Sequence, residues 1–319
     1  LKLLYLNFTQ PRFNKDDVDN LTKMLLAQLA NAKSNPDFLM QEKVADVTYG
    51  HNPRRQMIST EIVNKFDFEQ LPGIYAKLYP GANGFVFTFV GNIDPETLKP
   101  LVEKYIGSIP AARKPINYVD DKAYPVKGEV TEVFNVAMQQ PKVSVYYYFS
   151  GEMPYTFKEK LALTFLSQAL NSRYLESIRE EKGGTYGVHV QGSTKYIPRE
   201  TYSMTISFDT NEEMADELRE IVMKEIEEIA ANGPKSEDIE KNREFMLKSW
   251  QNSLELNNGW MGYIQAKYGS GLNFIADYEQ ALRSLTDADV QAMARKVLDD
   301  GNLVKVVMRP EKTETPAEE

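Results

Sequence analysis

One short run of the sequence carries two side chains that could act together on a carbonyl group. Arg179 stands near the end of a predicted helix, a Gly183-Gly184 pair follows as a turn, and Tyr186 opens a predicted strand. A guanidinium and a phenol brought to one side of this junction offer several hydrogen-bond donors in a fixed arrangement, which suits a carbonyl oxygen or a developing oxyanion. A purely structural interpretation is also open, because an arginine is favourable at a helix C-terminus and tyrosine is common in strands. Spacing alone favours this structural interpretation.

The sequence contains no motif for the other common catalytic and binding sites. The two histidines, His51 and His189, lie 138 residues apart, and neither has a Glu or His at the spacing of a zinc motif. We therefore expect both to be structural and this chain to bind no metal. No glycine-rich turn leads into a helix that could hold a phosphate, no serine stands in a nucleophile elbow, and cysteine is absent. The sequence thus predicts no cofactor site.

The elements that must position Arg179 and Tyr186 are predicted from the spacing of apolar residues. Helical spacing predicts the helix that carries Arg179 at 157–181, and a Thr286-x-x-Asp289 capping box marks another helix start. Strands in consecutive pairs, then a run of helices, then a last strand predict an α+β fold in which helices cover one antiparallel sheet. The predicted strands of this sheet are 129–136, 142–150, 185–192, 201–208 and 303–308.

The chain also repeats itself after 219 to 221 residues. Tyr49-Gly50 corresponds to Tyr268-Gly269, and the predicted strand 84–90 corresponds to the last strand. The stretch 126–229 has no earlier counterpart, so the sequence predicts one complete copy preceded by the truncated C-terminal part of a related copy. The predicted organisation is a truncated first copy at 1–110, a linker at 111–125, a complete domain at 126–310 and a frayed tail at 311–319. We expect the chain to be a fragment of a larger protein.

Composition narrows the classes of partner. The 319 residues carry a net charge of -9, and no run of like charge reverses it, which disfavours a nucleic-acid surface. No stretch of about 18 apolar residues occurs, so no membrane insertion is expected. The absence of cysteine is compatible with any compartment.

Several motifs together resemble the pitrilysin/insulinase (M16) family of zinc metallopeptidases. They are the Arg179…Tyr186 spacing, the segment Phe8-Thr9-x-Pro11-Arg12-Phe13, and Tyr79-Pro80-x-x-Asn83 followed by Val90-Gly91-Asn92-Ile93-Asp94-Pro95. The resemblance covers essentially the whole chain. It implies four related α+β domains in two halves that close around a peptide, with an inverted zinc motif in the first domain. It also implies that this chain is the end of the third domain plus the complete fourth.

The resemblance assigns roles to the residues of the opening run. It implies that Arg179 and Tyr186 orient the scissile carbonyl of a peptide substrate and stabilise its oxyanion, at a site completed by the N-terminal half of the same protein. That half holds the zinc, so this chain alone is expected to bind none and to hydrolyse nothing. Strands 142–150 and 185–192 are weaker candidates for contacting substrate.

Two other functions remain open at this point. Relatives of the same family can be catalytically silent scaffold or partner subunits, and a free-standing peptide-binding module is a third possibility. The presence of both Arg179 and Tyr186 favours the protease, since a scaffold has no chemical need for the pair. Exported bacterial relatives suggest the periplasm or cell envelope as the compartment.

Overall fold

The computed structural model describes residues 1–111, 118–180 and 187–311. Residues 112–117 of the predicted linker and the predicted tail beyond Glu311 therefore lie outside the described residues. The chain forms two compact units, which we call unit 1 and unit 2. Unit 1 consists of Leu1–Ser34, Ile58–Asp120 and Ser253–Gly271, and unit 2 of Asn35–Met57, Asp121–Asn252 and Leu272–Glu319.

The helices and strands follow one another in an α+β order. The helices of the described residues are α1 (Lys2–Thr9), α2 (Lys15–Ala32), α3 (Pro36–Thr48), α4 (Thr60–Asn64), α5 (Leu71–Leu78), α6 (Pro95–Tyr105), α7 (Phe157–Tyr174), α8 (Ala215–Asn232), α9 (Ser236–Ser253), α10 (Asn257–Ser270), α11 (Tyr278–Ser284) and α12 (Asp287–Asp299). The strands are β1 (Glu129–Val136), β2 (Val143–Glu152), β3 (Val188–Lys195), β4 (Thr201–Thr210) and β5 (Leu303–Pro310). A short 3-10 helix, Phe68–Gln70, precedes α5.

Unit 2 contains one five-stranded sheet in the order β1-β5-β2-β4-β3. The pairs β2–β5, β2–β4 and β3–β4 are antiparallel, whereas β1 runs parallel to β5. The predicted α+β class is confirmed, and so are the predicted strands of this unit, except that the strand predicted at 185–192 spans Val188–Lys195. The sheet is mixed rather than wholly antiparallel, because the last strand enters between the first two and matches the direction of β1. Strand order of this kind is not encoded in local periodicity.

The main core lies between one face of the sheet and the helices α7, α8 and α12. Alternate residues of β2 and β4 face these helices, as their period of two requires. Members of this core that are at most 2% exposed include Val145, Tyr147, Phe149, Phe165, Leu166, Leu170, Met204, Ile206, Leu218, Val222, Ile226, Val290 and Val307. Burial of each large side chain stabilises the fold by about 1.5–3 kcal/mol.

The helices of this core begin with side-chain caps. Thr156 accepts a hydrogen bond from the Glu159 amide at the start of α7. At the start of α12, Thr286 and Asp289 form the predicted capping box, with both reciprocal hydrogen bonds present. These caps satisfy backbone donors that the first helical turn leaves free, so they fix where each helix starts.

The opposite face of the sheet is covered on one side by α3. Met40 and Val47 of α3 pack in a smaller apolar cluster with Val304, Val306 and Met308 of β5. The amide of Val126 donates a 2.9 Å hydrogen bond to the carbonyl oxygen of Thr48 at the end of α3. The helix α3 thus covers β5 and β2 on this face of the sheet.

Unit 1 consists of helices with a small apolar interior. Its buried apolar side chains among the described residues are Leu29, Val63 and Ile109. An aromatic cluster adds to them, in which Phe8 of α1 meets Phe85 edge to face with ring centroids 5.0 Å apart. The predicted helix start at Asp94-Pro95 is confirmed, because Asp94 accepts hydrogen bonds from the amides of Glu96 and Thr97.

The predicted strand at 84–90 is wrong, although the segment belongs to the sequence repeat. Residues 85–90 adopt no regular secondary structure. The corresponding strand, β5, forms ladders with β1 and β2, whereas 85–90 has no ladder partner among the described residues. A strand needs a neighbour for its backbone groups, so apolar alternation alone does not produce one.

Candidate functional site

The structure describes only part of the predicted pair of Arg179 and Tyr186. The backbone of Arg179 belongs to a π-helical turn, Leu175–Glu180, which continues α7. The side chain of Arg179 lies outside the described residues, as do Tyr186 and the Gly183-Gly184 turn. The chain resumes at Gly187, and β3 begins one residue later. The helical segment before this run and the strand after it are confirmed, whereas the Gly183-Gly184 turn and the meeting of the two side chains stay predictions.

Buried contacts hold this π-helical turn against α8. Ile178 is fully buried, and the hydroxyl of Tyr174 donates a 2.8 Å hydrogen bond to the carbonyl oxygen of Val222. Burial raises the pKa of Tyr174 well above its ordinary value, so the phenol stays protonated and remains a donor. Arg173 and Glu225 form a 3.0 Å ion pair with both side chains less than a fifth exposed. The turn is therefore well anchored, and π-helical turns are frequent at functional sites.

Three neighbouring strands, β2, β4 and β3, turn polar side chains to the face of the sheet opposite the main core. Their registers align these side chains in rows across the strands: Tyr146, Ser207 and His189; Tyr148, Thr205 and Gln191; Ser150, Ser203 and Ser193; Glu152, Thr201 and Lys195. We call this surface the open face. Its hydroxyl and amide groups can both donate hydrogen bonds to a peptide backbone and accept them from it.

The open face connects the two strands that were predicted to contact substrate. The predicted strands 142–150 and 185–192 are β2 and β3, and both pair with β4. Their contact with a substrate remains a prediction. Because both strands share the open face, a substrate that contacts them would lie near Gly187. This residue directly follows Tyr186 in the chain.

Two tyrosines on the α3 side of the open face are held in their neutral form. Burial raises the pKa of Tyr146 and of Tyr148, and the neighbouring Tyr49 raises that of Tyr148 further. Their side chains hydrogen-bond with Thr205 and Ser203 of β4, respectively. The phenols therefore stay protonated at physiological pH and carry no charge onto this face.

The helix α7 holds β3 at its outer edge. The amide side chain of Asn171 donates a 3.0 Å hydrogen bond to the carbonyl oxygen of Val190 and accepts a 2.9 Å hydrogen bond from the Val190 amide. These two bonds occupy the groups that an added strand would use at this position. A bound peptide therefore finds better access on the open face than along this part of the β3 edge.

Two cavities open at opposite ends of β3. The first, with a volume of about 420 Å³, includes Gly187 and His189, and we call it the Gly187 cavity. Asp37 and Asp209 also line it, and Lys142 makes ion pairs with both at 2.7 Å and 2.8 Å. Partial burial opposes the charged form of Lys142, but the hydrogen bonds to Asp209 and Asp37 outweigh it and raise the pKa of this lysine.

The second cavity, with a volume of about 540 Å³, includes Ser193 and Lys195 at the other end of β3. Because five lysine and arginine side chains line it, we call it the cationic cavity. All of its lining residues belong to unit 2.

In the part of the chain that the structure describes, the side chains do not fit a zinc ion. Among residues 1–111, 118–180 and 187–311, no three His, Cys, Asp or Glu side chains group closely enough to hold a metal. His51 Nδ1 lies 2.7 Å from an oxygen of Asp46 on an exposed turn. His189 lies on β3 opposite Ser207. Among the described residues, neither histidine has the further ligands that a tetrahedral zinc site requires.

Sequence reasoning missed Asn171 and the cationic cavity. Asn171 lies within a helical pattern, and nothing local marks its contact with β3 nineteen residues later. The cations of the cavity come from separate segments of the chain, so no spacing connects them. The alternation of Gln191, Ser193 and Lys195 was a signal that could have extended the predicted open face to the end of β3.

The architecture is that of an α+β unit with one mixed sheet and a polar open face. A family model described as "Peptidase M16 inactive domain" matches residues 65–246, more than half of the chain. The chain belongs to this family. The resemblance predicted from the motifs is thereby confirmed.

Curated and solved relatives agree with this assignment. The chain is 23% identical over 286 residues to a protein named "Zinc protease PQQL-like" from Arabidopsis thaliana, which covers 85% of this chain and 30% of that protein. The crystal structure of the periplasmic protease PqqL from Escherichia coli superposes with a TM-score of 0.83 at 17% identity, over 97% of this chain and 34% of that one. The peptidase M16 inactive domain from Pseudomonas fluorescens gives a TM-score of 0.76 at 20% identity, over 97% and 74%. The chain thus spans about a third of the length of the first two relatives.

Proposed function

We propose that this chain is the substrate-binding C-terminal half, without a zinc site, of a zinc endopeptidase that encloses and cleaves peptides. The observation that carries the proposal is the open face of β2, β4 and β3, which begins beside Gly187 in a chain of the M16 inactive-domain family. The neutral hydroxyl and amide groups of the open face suit an extended peptide, whose backbone offers both donors and acceptors.

In this proposal Arg179 and Tyr186 act on the scissile peptide bond. Their side chains hold its carbonyl oxygen and donate hydrogen bonds to the oxyanion that develops there. The anchored π-helical turn supports this role, because donors must be positioned before the reaction to stabilise charge efficiently. The zinc, expected from the names of the curated relatives, belongs to the N-terminal half of the same protein, which is this chain's proposed partner.

The proposal is tested by comparing the full-length protein with the 319-residue chain. We expect the full-length protein to contain zinc and to cleave a quenched fluorescent peptide, and a chelator to abolish the cleavage. The chain alone is expected to bind the same peptide, measured by fluorescence anisotropy, without cleaving it or retaining zinc. Cleavage by the chain alone contradicts the proposal. A full-length protein that neither binds nor cleaves peptides indicates a scaffold subunit instead.

We infer a compartment outside the cytoplasm, in the periplasm or cell envelope. The Escherichia coli relative is described as periplasmic. In the part of the chain that the structure describes, no helix is long and apolar enough to cross a membrane. Fractionation of the source cells, with recovery of the protein in the osmotic-shock fluid, tests this inference. Recovery with the cytoplasmic markers contradicts it.

A further inference from the structure

The cationic cavity lies where the open face ends. It is bordered by the end of β2, the end of β3 and the beginning of β4, and the last two rows of the open face contribute to its wall. Its charged lining residues are Arg55, Lys127, Lys195, Arg199, Lys296, Glu152 and Asp300. Five cations against two anions give this wall a formal charge of +3, in a chain whose net charge is -9.

Both acidic residues of the wall are already neutralised by neighbours. Glu152 makes a 3.2 Å ion pair with Arg199. Asp300 lies 3.0 Å from Lys296 and accepts a 2.8 Å hydrogen bond from the hydroxyl of Tyr202. Both carboxylates are therefore already paired. The remaining positive charge of the cavity wall has no acidic residue of the wall to balance it.

Lys127, Lys195 and Arg55 supply that charge. Lys127 and Lys195 form no ion pair within residues 1–111, 118–180 and 187–311, and both are exposed. Arg55 is less free, because it donates a 3.2 Å hydrogen bond to the carbonyl oxygen of Ala123 and lies 3.9 Å from Asp121. Exposed lysine ammonium groups can reorganise around an incoming anion at small cost.

The other lining residues supply neutral hydrogen-bond donors and hold the wall in place. The guanidinium of Arg199 stacks on the ring of Tyr124 at 3.8 Å, which holds this segment in place. The row of Ser150, Ser203 and Ser193 offers hydroxyl groups at the floor. Ammonium and hydroxyl donors together match the acceptor-only oxygens of a carboxylate.

The length of β3 sets the distance between this cavity and the proposed reaction site. Gly187, next to the predicted Tyr186, and Lys195 are eight residues apart on an extended segment. At about 3.3 Å per residue, the span is about 26 Å. An extended peptide on the open face therefore covers it with about eight residues.

We propose that the cationic cavity binds a carboxylate of the peptide substrate, about eight residues from the bond that is cut. This proposal rests on the proposed function, because it uses Tyr186 as the marker of the cleavage point. The carboxylate comes from a Glu or Asp side chain or from the peptide's C-terminus. Both sources present the same planar, singly charged group to Lys127 and Lys195.

The test uses the full-length protein and a set of matched peptides that share one cleavage site. Glu is placed about eight residues to either side of the scissile bond, with Gln at the same position as the neutral counterpart. A further pair ends about eight residues beyond the bond in a free carboxylate or an amide. The Glu pairs and the terminal pair separate the two sources of the carboxylate. Dissociation constants are measured with the metal chelated, and KM and kcat with the metal present.

We expect at least one carboxylate peptide to have a lower KM and Kd than its neutral counterpart. Lys127→Gln and Lys195→Gln should each raise both constants for that peptide about three- to fivefold, the size of one partly exposed ion pair. Lys127→Gln, which lies outside the open face, should leave kcat and the constants of the neutral peptides unchanged. The advantage of the carboxylate should shrink as the salt concentration rises. Lys248→Gln, an exposed lysine on α9 outside the cavity, is the matched control and should have no effect.

The outcomes separate this proposal from the proposed function. Equal constants for charged and neutral peptides, in a protein that still cleaves them, overturn the carboxylate site and leave the proposed function intact. Equal effects of the lysine variants on all peptides also overturn it. Failure to bind or cleave any peptide contradicts the proposed function, and this proposal with it.

Discussion

Asn171 shows how much one side chain can depend on a neighbouring element, and the backbone of Arg179 lies further along the same segment. Both lie on the helical segment that runs from α7 into the π-helical turn. Asn171 uses its amide to bind both backbone groups of Val190, and the turn is fixed by the buried Ile178 and by Tyr174. The proposed donor at position 179 thus rests on a segment that contacts both the edge strand and α8. Positioning of this kind is what a stabiliser of an oxyanion requires.

The proposed roles of the pair predict a specific kinetic effect. Arg179→Ala and Tyr186→Phe in the full-length protein should each lower kcat on the order of 100-fold, because each removes a donor to the developing oxyanion. Zinc content, measured by atomic absorption, should stay as in the wild type, since neither residue is proposed to bind the metal. The measurement is steady-state cleavage of a fluorogenic peptide.

Two exposed residues away from the sheet serve as matched controls. Arg283→Ala on α11 and Tyr268→Phe on α10 remove the same chemical groups from side chains that are 58% and 70% exposed, respectively. They should leave kcat unchanged. Unchanged turnover in both site variants would restore the structural interpretation of Arg179 and Tyr186.

At the scale of elements, the close approach of α7 to β3 decides the shape of the site. Gly192 makes it possible, because a Cβ at this position would lie 2.7 Å from Leu163 Cγ and 2.9 Å from Ser167 Oγ. This glycine faces α7, while its neighbours Gln191 and Ser193 lie on the open face. A displaced helix would therefore move both the edge of the open face and the π-helical turn.

Gly192→Ala should destabilise unit 2 by about 1–3 kcal/mol, the usual cost of overpacking. The lower entropy of the unfolded alanine chain offsets part of this, by about 0.4–1 kcal/mol. The measurement is the urea unfolding transition of the unit that contains each glycine. Gly262→Ala is the matched control: it lies in α10 with no atom within 4 Å of the added Cβ, so helix propensity should make it stabilising. Equal or higher stability of Gly192→Ala would show that α7 can move away without cost.

At the scale of the whole molecule, the two units differ in how much apolar surface they bury. Unit 2 has a continuous core between its sheet and the helices α7, α8 and α12. In unit 1, by contrast, large apolar side chains remain exposed, for example Leu21 at 49%, Leu78 at 56% and Val86 at 65%. Since burial of apolar surface is the main stabilising term, the two units should not be equally stable.

Hydrogen exchange of the 319-residue chain, followed by mass spectrometry, should show this difference. We expect the amides of β2, β4 and β5 to exchange slowest, because each of these strands has a neighbour on both sides. The amides of α1, α2 and α5 should exchange faster, through openings that do not require unit 2 to unfold. Equal protection of both units would contradict the expectation and would indicate a single cooperative transition.

The sequence by itself determined the order of elements, the α+β class and the membership of the M16 family. The reason is that periodicity, caps such as Thr286 and Asp289, and motif order are local properties. It also named Arg179 and Tyr186 as the candidate pair, which remains a prediction. It failed at 84–90, where apolar alternation indicated a strand that has no ladder partner in the described part of the chain.

The tertiary structure decided what depends on distant segments. The parallel β1–β5 pair, the double hydrogen bond between Asn171 and Val190, and the cationic cavity all join residues far apart in the chain. Strand order depends on which long-range pairings close best, and a cavity depends on which side chains converge; neither leaves a period in the sequence. The sequence shows the open face only as an alternation of polar and apolar residues within each strand. Only the register between β2, β4 and β3 joined those residues into one polar surface on which a peptide could lie.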